Sequence, residues 1–600
     1  MNSLLKPEYD RLKFTSRPFS HYPAFFTAAA LAALPVAVFN GRGWYPPVDF
    51  YKWTLVFFVV AYGVGAAAFS SLRETGVQVT RMELAWLVLV MLAGLQPFFV
   101  PLRSLHEWLR NLYFFAALGG AVIVLRNLPI DGVLPGILRA VAATGGLSVI
   151  FGCVQNFLPD LRLPFILDAS GASDRFLGNT VLDNILGAYL ALAAVAGLWL
   201  LLYGPRGRGR FCAAIRGYDF FVWVLSAVGL WKTGSRSAFI ACFIGLFVLW
   251  AACGFVFAKK NLKLLLTAVL LVACVAFAAP EVLRVERRDM SKLLNLDGFS
   301  AKYEGRWAIW LTSWEMIKNA PMLGTGLGNF KWNYLDALAA FREKYDLEPR
   351  YTFWAHNEYL QWIAETGIVG GALFFSLLLY GAGLGLRGLK RARNGHDREK
   401  VSLLSWSMAA LAVLMADSCF SRPMHHVDTA FTLPLALGMI SRLEASPLRL
   451  SFRSRAAVSG AIIVLSLSGI IFLTQSFQGR RYLGKYFYEP FYLSTRSSRE
   501  RESRKPPFLI EDAFLRLTAR ENYNRTLIPL EDAEQNDRDA LRLLRRCVET
   551  QPAYEELNLL MLLCQKRGDI REGRRYFKYY PPKEREKFLE GRFDGKYMVN

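Results

Sequence analysis

Acidic residues are in short supply in this chain. Forty-nine Asp and Glu stand against 71 Lys and Arg in 600 residues, a formal excess of +22. Histidine occurs only six times and cysteine eight times. Cys153, Cys242, Cys253 and Cys274 fall inside apolar runs, where a thiol acts as a small hydrophobe. None of the eight shows metal-ligand spacing, so neither a metal nor another cofactor is expected. The glycines of Gly324-Thr325-Gly326-Leu327-Gly328 lack the lysine and serine of a phosphate loop and read as a tight turn ending a helix. The polar start Met1–Tyr22 precedes an apolar segment without a cleavage signature, so no cleavable signal peptide is expected. The two halves show no obvious internal repeat, which argues against a transporter.

What the chain has in abundance is apolar sequence, 53% of all residues. It comes in runs of roughly 17 to 25 residues, the length that crosses a bilayer. The fold class is therefore all-α, a polytopic transmembrane helix bundle of about thirteen spans. They are placed near Pro23–Phe39, Trp53–Phe69, Leu84–Val100, Leu112–Leu125, Ile137–Phe157, Val181–Tyr203, Phe220–Trp231, Ser237–Phe257, Leu264–Ala279, Tyr359–Gly383, Leu403–Asp417, Ala430–Ile440 and Val458–Phe477. The basic excess sits largely in short loops, around Arg206–Arg216, Lys259–Lys263, Arg387–Lys400 and Arg442–Arg455. That is a topology signal rather than a nucleic-acid footprint, and it assigns those loops and the N-terminus to the cytoplasm. The domains read as a membrane unit over 1–477, a charged linker over 478–505 and a small helical unit over 506–600. By an odd span count the last lies across the membrane from Met1.

The opposite face collects the polar residues that a topology signal does not explain. The longest polar interruption, 281–357, carries Gly305-Arg306-Trp307 and ends at Ala355-His356-Asn357-Glu358. Trp307, Trp310, Leu311, Trp314 and Ile317 recur at helical spacing, as on a helix lying in the membrane interface. Asn357 suits the N-cap of the next helix, so His356 precedes a helix N-terminus whose dipole disfavours imidazolium. A neutral imidazole can accept a proton; an ordinary interfacial histidine fits this loop equally well. Lys232 and Arg236 bracket a turn between two apolar runs, and Asn179 opens another span from the same side. No paired carboxylates or Asp-x-Asp site accompany these cations. Two arginines, a histidine and no metal suit a lipid-linked pyrophosphate, whose oxygens a guanidinium grips in pairs. Glu365 falls about two turns into the span after His356, either paired with a cation or lining a wet cavity. His425 and His426 face the same side and read as a plain loop.

Ser235-Arg236-Ser237-Ala238, Gly305-Arg306-Trp307 with Pro321-x-x-Gly-x-Gly-x-Gly-Asn-Phe, and Ala355-His356-Asn357-Glu358-Tyr359-Leu360 with Glu365-x-Gly367-x-x-Gly370 stand in order on one face. Together they resemble the motifs of the O-antigen ligase and O-antigen polymerase superfamily of bacterial inner membranes. Phe176-Leu177-Gly178-Asn179-Thr180 is more loosely similar to a Gly-Asn-Pro-Asn stretch, departing at Thr180. The resemblance implies a metal-independent, inverting glycosyltransferase at the periplasmic face. It would move a glycan from undecaprenyl pyrophosphate to an acceptor hydroxyl, in the ligases on lipid A-core. His356 would be the general base; Arg236 and Arg306 would hold the pyrophosphate, with Asn179 and Asn357 as further substrate-binding residues; Lys232, to which the resemblance gives no firm role, would assist with phosphate. A polymerase using the same chemistry is the alternative, and a non-enzymatic lipid or polysaccharide transporter a third reading.

In the tail, Asp539-Ala540-Leu541 and Gly568-Asp569-x-x-Glu572-Gly573, with Gly573 standing 33 residues after Ala540, resemble a tetratricopeptide repeat of fewer than two units, and a general helical hairpin is the alternative. Such a unit would recruit an acceptor or a protein partner. Cys547 and Cys564 either pair in an oxidising compartment or are two core thiols.

Overall fold

The computed structural model describes residues 22–37, 78–128, 133–158, 175–180, 182–204, 209–253, 305–344, 352–443, 460–472 and 554–593, with a few isolated positions between them. These residues form α1 (Tyr22–Ala32), α2 (Arg81–Leu95), α3 (Leu105–Asn127), α4 (Leu134–Phe157), α5 (Asp183–Tyr203), α6 (Arg210–Thr233) and α7 (Arg236–Cys253). Then come α8 (Gly305–Asn319), α9 (Phe330–Lys344), α10 (Glu358–Asn394), α11 (Arg398–Asp417), α12 (Val427–Ala430), α13 (Thr432–Ser441) and α14 (Gly460–Phe472). The tail adds α15 (Tyr554–Lys566), α16 (Ile570–Arg574) and α17 (Pro582–Leu589). The one sheet among the described residues pairs Gln78–Val79 antiparallel with Leu448–Arg449.

Eight helices, α2 to α7, α10 and α11, are long and apolar enough to cross a membrane. Each coincides with an expected span, and the all-α polytopic bundle is the observed fold. The expected spans near Pro23–Phe39, Ala430–Ile440 and Val458–Phe477 are shorter apolar helices. The span near Trp53–Phe69 is described only in part, and the one near Leu264–Ala279 lies outside the described residues.

Helix α5 is the axle of the bundle, buried along nearly its whole length. In lipid, close packing has to replace the hydrophobic drive, and small residues permit it. Gly187 of α5 faces Ser235 and Ala238, and Gly197 lies against the Trp223 ring. On α7, a side chain at Gly245 would meet Val413 of α11, and those two helices run tightly together.

The bundle has two distinct ends. At one, Trp199 Nε1 donates to Ser402 O (2.8 Å), Arg393 reaches Ala251 O, and Arg126 reaches Ser441 O. At the other lie the α6–α7 turn, α8, α9, the start of α10 and the α11–α12 connection. The tail is at this second end too: Tyr579 and Lys578 bond Asp336 of α9, and α15 shares an apolar core with α8 and α9. Among the described residues after α15 come the short α16, a single 3-10 turn over Phe577–Tyr579 and α17. Of the first repeat-like unit only Arg545 and Val548 are among the described residues. Cys564 is a buried thiol, and Cys547 lies outside them.

Candidate functional site

The segment that carries His356 is held by backbone and cap bonds on three sides. Asn357 caps α10: its Oδ1 accepts from Tyr359 N and Leu360 N, both at 3.0 Å, and its Nδ2 donates to Cys419 O at 2.9 Å. Glu358 N–H donates to Ser418 O at 2.8 Å, stitching the loop to the end of α11. Trp310 of α8 donates its indole N–H to Ala355 O at 3.1 Å. Between these anchors His356 adopts φ 49°, a left-handed conformation that side chains adopt at a cost. Its ring makes no hydrogen bond to another described residue.

Arg306 lies one turn before Trp310 on α8, and its charge acts on His356. The tryptophan stripe expected on a single face divides instead. Trp310 and Ile317 turn inward, while Trp307 and Trp314 are 46% and 52% exposed. The face straddles the protein boundary, and only its outer half is free to meet the membrane interface.

His356 is neutral, and burial is the first cause. Burial lowers its pKa first, and Arg306 and Arg422 lower it further, from 6.5 to about 4. Arg422 is a residue the sequence reading passed over. It is only 4% exposed, its guanidinium lies 3.5 Å from the Trp354 ring centroid, and its Nη2 is 2.9 Å from His426 Nε2. His426 is held well below its usual pKa by burial first and then by Arg422. His425, expected to lie in a plain loop, bonds Glu358 through Nδ1, and its Nε2 lies 3.9 Å from Glu365 Oε2. The Arg422–His426 stretch is therefore part of the site's wall rather than a plain loop. The one sequence signal was polar residues clustered between two apolar runs.

The glycine turn is a packing device, as its missing phosphate-loop residues suggested. Helix α10 breaks at Gly367 (φ 70°), which frees carbonyls upstream of it. Thr325 N–H donates to Ala364 O and Gly326 N–H to Glu365 O, each at 2.9 Å, and Gly328 N–H reaches Glu365 Oε2 at 2.7 Å. Gln96 fastens the same knot, donating to Leu323 O and Glu365 O at 2.8 Å and accepting from Leu327 N. Gly324 is required here, because a side chain would press into the Glu365 backbone. Glu365 is thus buried, holding Gly328 and Gln361, with His425 as its neighbouring imidazole.

The other expected site residues divide. Arg236 is exposed at the first position of α7, following the left-handed Gly234 that ends α6. Its neighbour Ser237 faces Asp417 at the end of α11, so Arg236 shares this end of the bundle with the His356 loop. Lys232 is buried, its ammonium 5.5 Å and 5.6 Å from the Phe176 and Phe157 rings. Asn179 is fully buried; its Nδ2 bonds Phe165 O (2.8 Å) and Val36 O (3.2 Å), and its carbonyl accepts from Lys52, which also pairs with Asp428. Thr180 closes the adjoining turn through N–H and hydroxyl bonds to Leu177 O, the first of which a proline lacks. Around His356, then, the structure sets Arg306, Arg422 and the cap Asn357. Lys232 and Asn179 are built into the frame below.

Residues 221–375 match a protein-family model described as O-antigen ligase. The matched span runs from α6 through the α6–α7 turn, α8, α9 and the His356 loop to the middle of α10. No curated protein matches the chain.

Proposed function

We propose that this chain, whose residues 221–375 match the O-antigen ligase family model, is a multi-pass membrane glycosyltransferase that moves a glycan from undecaprenyl pyrophosphate to an acceptor hydroxyl at the periplasmic face. The observation that carries this reading is a neutral, part-buried histidine with guanidinium groups acting on it from two different elements, Arg306 from α8 and Arg422 from the α11–α12 connection.

The acceptor O–H attacks the anomeric carbon of the donor, and the bond from that carbon to the pyrophosphate oxygen breaks. The electron pair leaves with the pyrophosphate, and the acceptor's proton passes to the His356 imidazole. Back-side attack inverts the anomeric centre. Arg306 and Arg236 are the residues we assign to the pyrophosphate, where planar forks match its oxygens and offset the charge that develops on departure. An imidazole with a pKa of about 4 is a weak base in the free enzyme. A dianion entering beside Arg306 offsets the field that holds the ring neutral, so donor binding raises its proton affinity when the acceptor must lose a proton.

The acceptor distinguishes a ligase, which we favour, from a polymerase. The glycan profile of a deletion strain separates them: full-length polymer retained on its lipid carrier indicates ligation, and single repeat units indicate polymerisation. Normal surface glycan in that strain would remove both.

A further inference from the structure

The tail and the 305–344 segment are built around a common interior. Leu557 and Leu560 of α15 are fully buried in the same apolar cluster as Ile317 of α8 and Leu335 and Leu338 of α9. Ala355, the residue before His356, belongs to that cluster too. A polar clasp closes the contact. The Tyr579 hydroxyl donates to Asp336 Oδ1 at 2.7 Å, Lys578 Nζ donates to the same oxygen at 3.1 Å, and Arg103 bonds the other. Burial alone would raise the Asp336 pKa, yet Tyr579, Arg103 and Lys578 outweigh it and hold the carboxyl below its usual range.

From the clasp, bonds lead toward α10 and the loop that carries His356. Arg103 also donates to Trp332 O (3.2 Å), and Asn329 at the head of α9 accepts from Ser104 N (2.7 Å) and donates to Ser104 O (3.1 Å). Gly328 next to it bonds Glu365 on the His356 helix. Helix α8 lies between α9 and α10, with Trp310 on Ala355 O and Arg306 a turn away. Groups that must stand within a fraction of an ångström of their working places need a rigid support.

We propose that the C-terminal unit is a positioning part of the catalytic face, and that Tyr579 and Lys578, acting through Asp336, keep α8 and α9 where Arg306 stands against His356. This rests on the reading of Arg306 and His356 as the working pair. It differs from acceptor recruitment by the tail in the kinetic constant it moves. Loss of recruitment raises the acceptor KM and is overcome by excess acceptor, whereas loss of positioning lowers kcat and is not.

The test uses the full-length protein in lipid nanodiscs with a lipid-linked glycan donor, measured below the thermal transition of each variant. Tyr579→Phe/Lys578→Met and Asp336→Asn are expected to lower kcat roughly ten-fold while leaving the acceptor KM within about two-fold, and Asp336→Glu to recover part of the loss. Tyr579→Phe alone removes one hydroxyl and serves if the larger changes fail to fold. An unchanged kcat in folded variants, or a loss confined to acceptor KM, overturns the inference. His356→Ala, run beside them, separates the two claims: transfer retained by that variant would count against the underlying reading and not against the clasp.

Discussion

Arginine sits at both ends of this bundle and does different work at each. At the end where α10 gives way to α11, Arg387, Arg391, Arg393 and Arg398 are exposed, as are Lys390 and Lys400. Arg387 there does no more than donate to a carbonyl one turn back, Gly383 O at 3.2 Å. At the other end Arg422 is buried against Trp354 and His426, and Arg306, though exposed, acts on His356. Charge in the first group suits a topology signal, which asks for a sign and a side of the membrane, though Arg393 also reaches Ala251 O of α7. Charge in the second needs a place, and the protein supplies one through bonds that begin far away in sequence. Net charge, which pools the two, therefore says little about function here.

The sharpest way to break the contrast is to remove the group that the second set of arginines surrounds. His356→Ala is expected to lower glycan transfer by about a hundred- to ten-thousand-fold, the usual loss for a general base, with the protein still present in the membrane fraction. Near-normal transfer by a well-expressed variant would return His356 to the status of an interfacial histidine.

Arginine replacement at the two ends comes next. Arg306→Lys keeps the charge and loses the planar fork, and is expected to cost about a hundred-fold in transfer; Arg236→Lys is expected to behave alike. Arg391→Lys and Arg398→Lys are expected to leave transfer unchanged, because a topology signal reads only the charge. If Arg306→Lys is equally silent, the two ends do not differ in the way described.

Beneath the site the frame itself carries a charge pair. Lys52 and Asp428 are both buried and bonded to each other, and Lys52 also holds the Asn179 carbonyl. Lys52→Met removes one partner of this buried pair, a change that costs about 3–5 kcal/mol. A fall in thermal stability of the purified protein should accompany any loss of transfer. Activity lost at full stability would instead move Lys52 into the catalytic machinery.

Much of this molecule was legible in its sequence, and the parts that were not share a cause. Apolar run length gave the eight long helices because a bilayer imposes its thickness locally. Arg306 and His356 were legible as members of ordered motifs, Asn357 from helix-cap chemistry, and the glycine turn from the residues it lacked. Arg422 and His425 were not, because their burial depends on the end of α11 being stitched to a loop some sixty residues earlier, at Ser418 and Glu358. Trp310 read as one of a stripe, and only the Ala355 carbonyl shows why it turns inward. The tail resembled a repeat module, yet what it packs against, α8 and α9, lies more than two hundred residues upstream. Local physics was readable, and long-range closure was not.

The smallest expected effect is on pH dependence, and it separates the two arginines that face His356. A histidine whose pKa falls from 6.5 to about 4 on folding stays neutral through the physiological range. The sign follows from linkage: between those values the unfolded chain binds the proton more tightly, so this group's contribution to stability is complete above pH 6.5 and is lost as pH falls toward 4. In activity, the acid limb of kcat/KM reports the free enzyme and should lie near 4, whereas the limb of kcat reports the donor-bound enzyme and should lie higher, because the bound pyrophosphate offsets the guanidinium field. Arg422→Gln removes one of the two charges without touching Arg306. It should raise the kcat/KM limb by less than about one pH unit, since burial is the larger cause and remains. The pH profiles of wild type and Arg422→Gln, measured with the same lipid-linked donor from about pH 3 to pH 8 so that points fall on both sides of the limb, provide the comparison. Coincident limbs would mean that Arg422 is only a stacking partner for Trp354 and that Arg306 and burial set the imidazole without it.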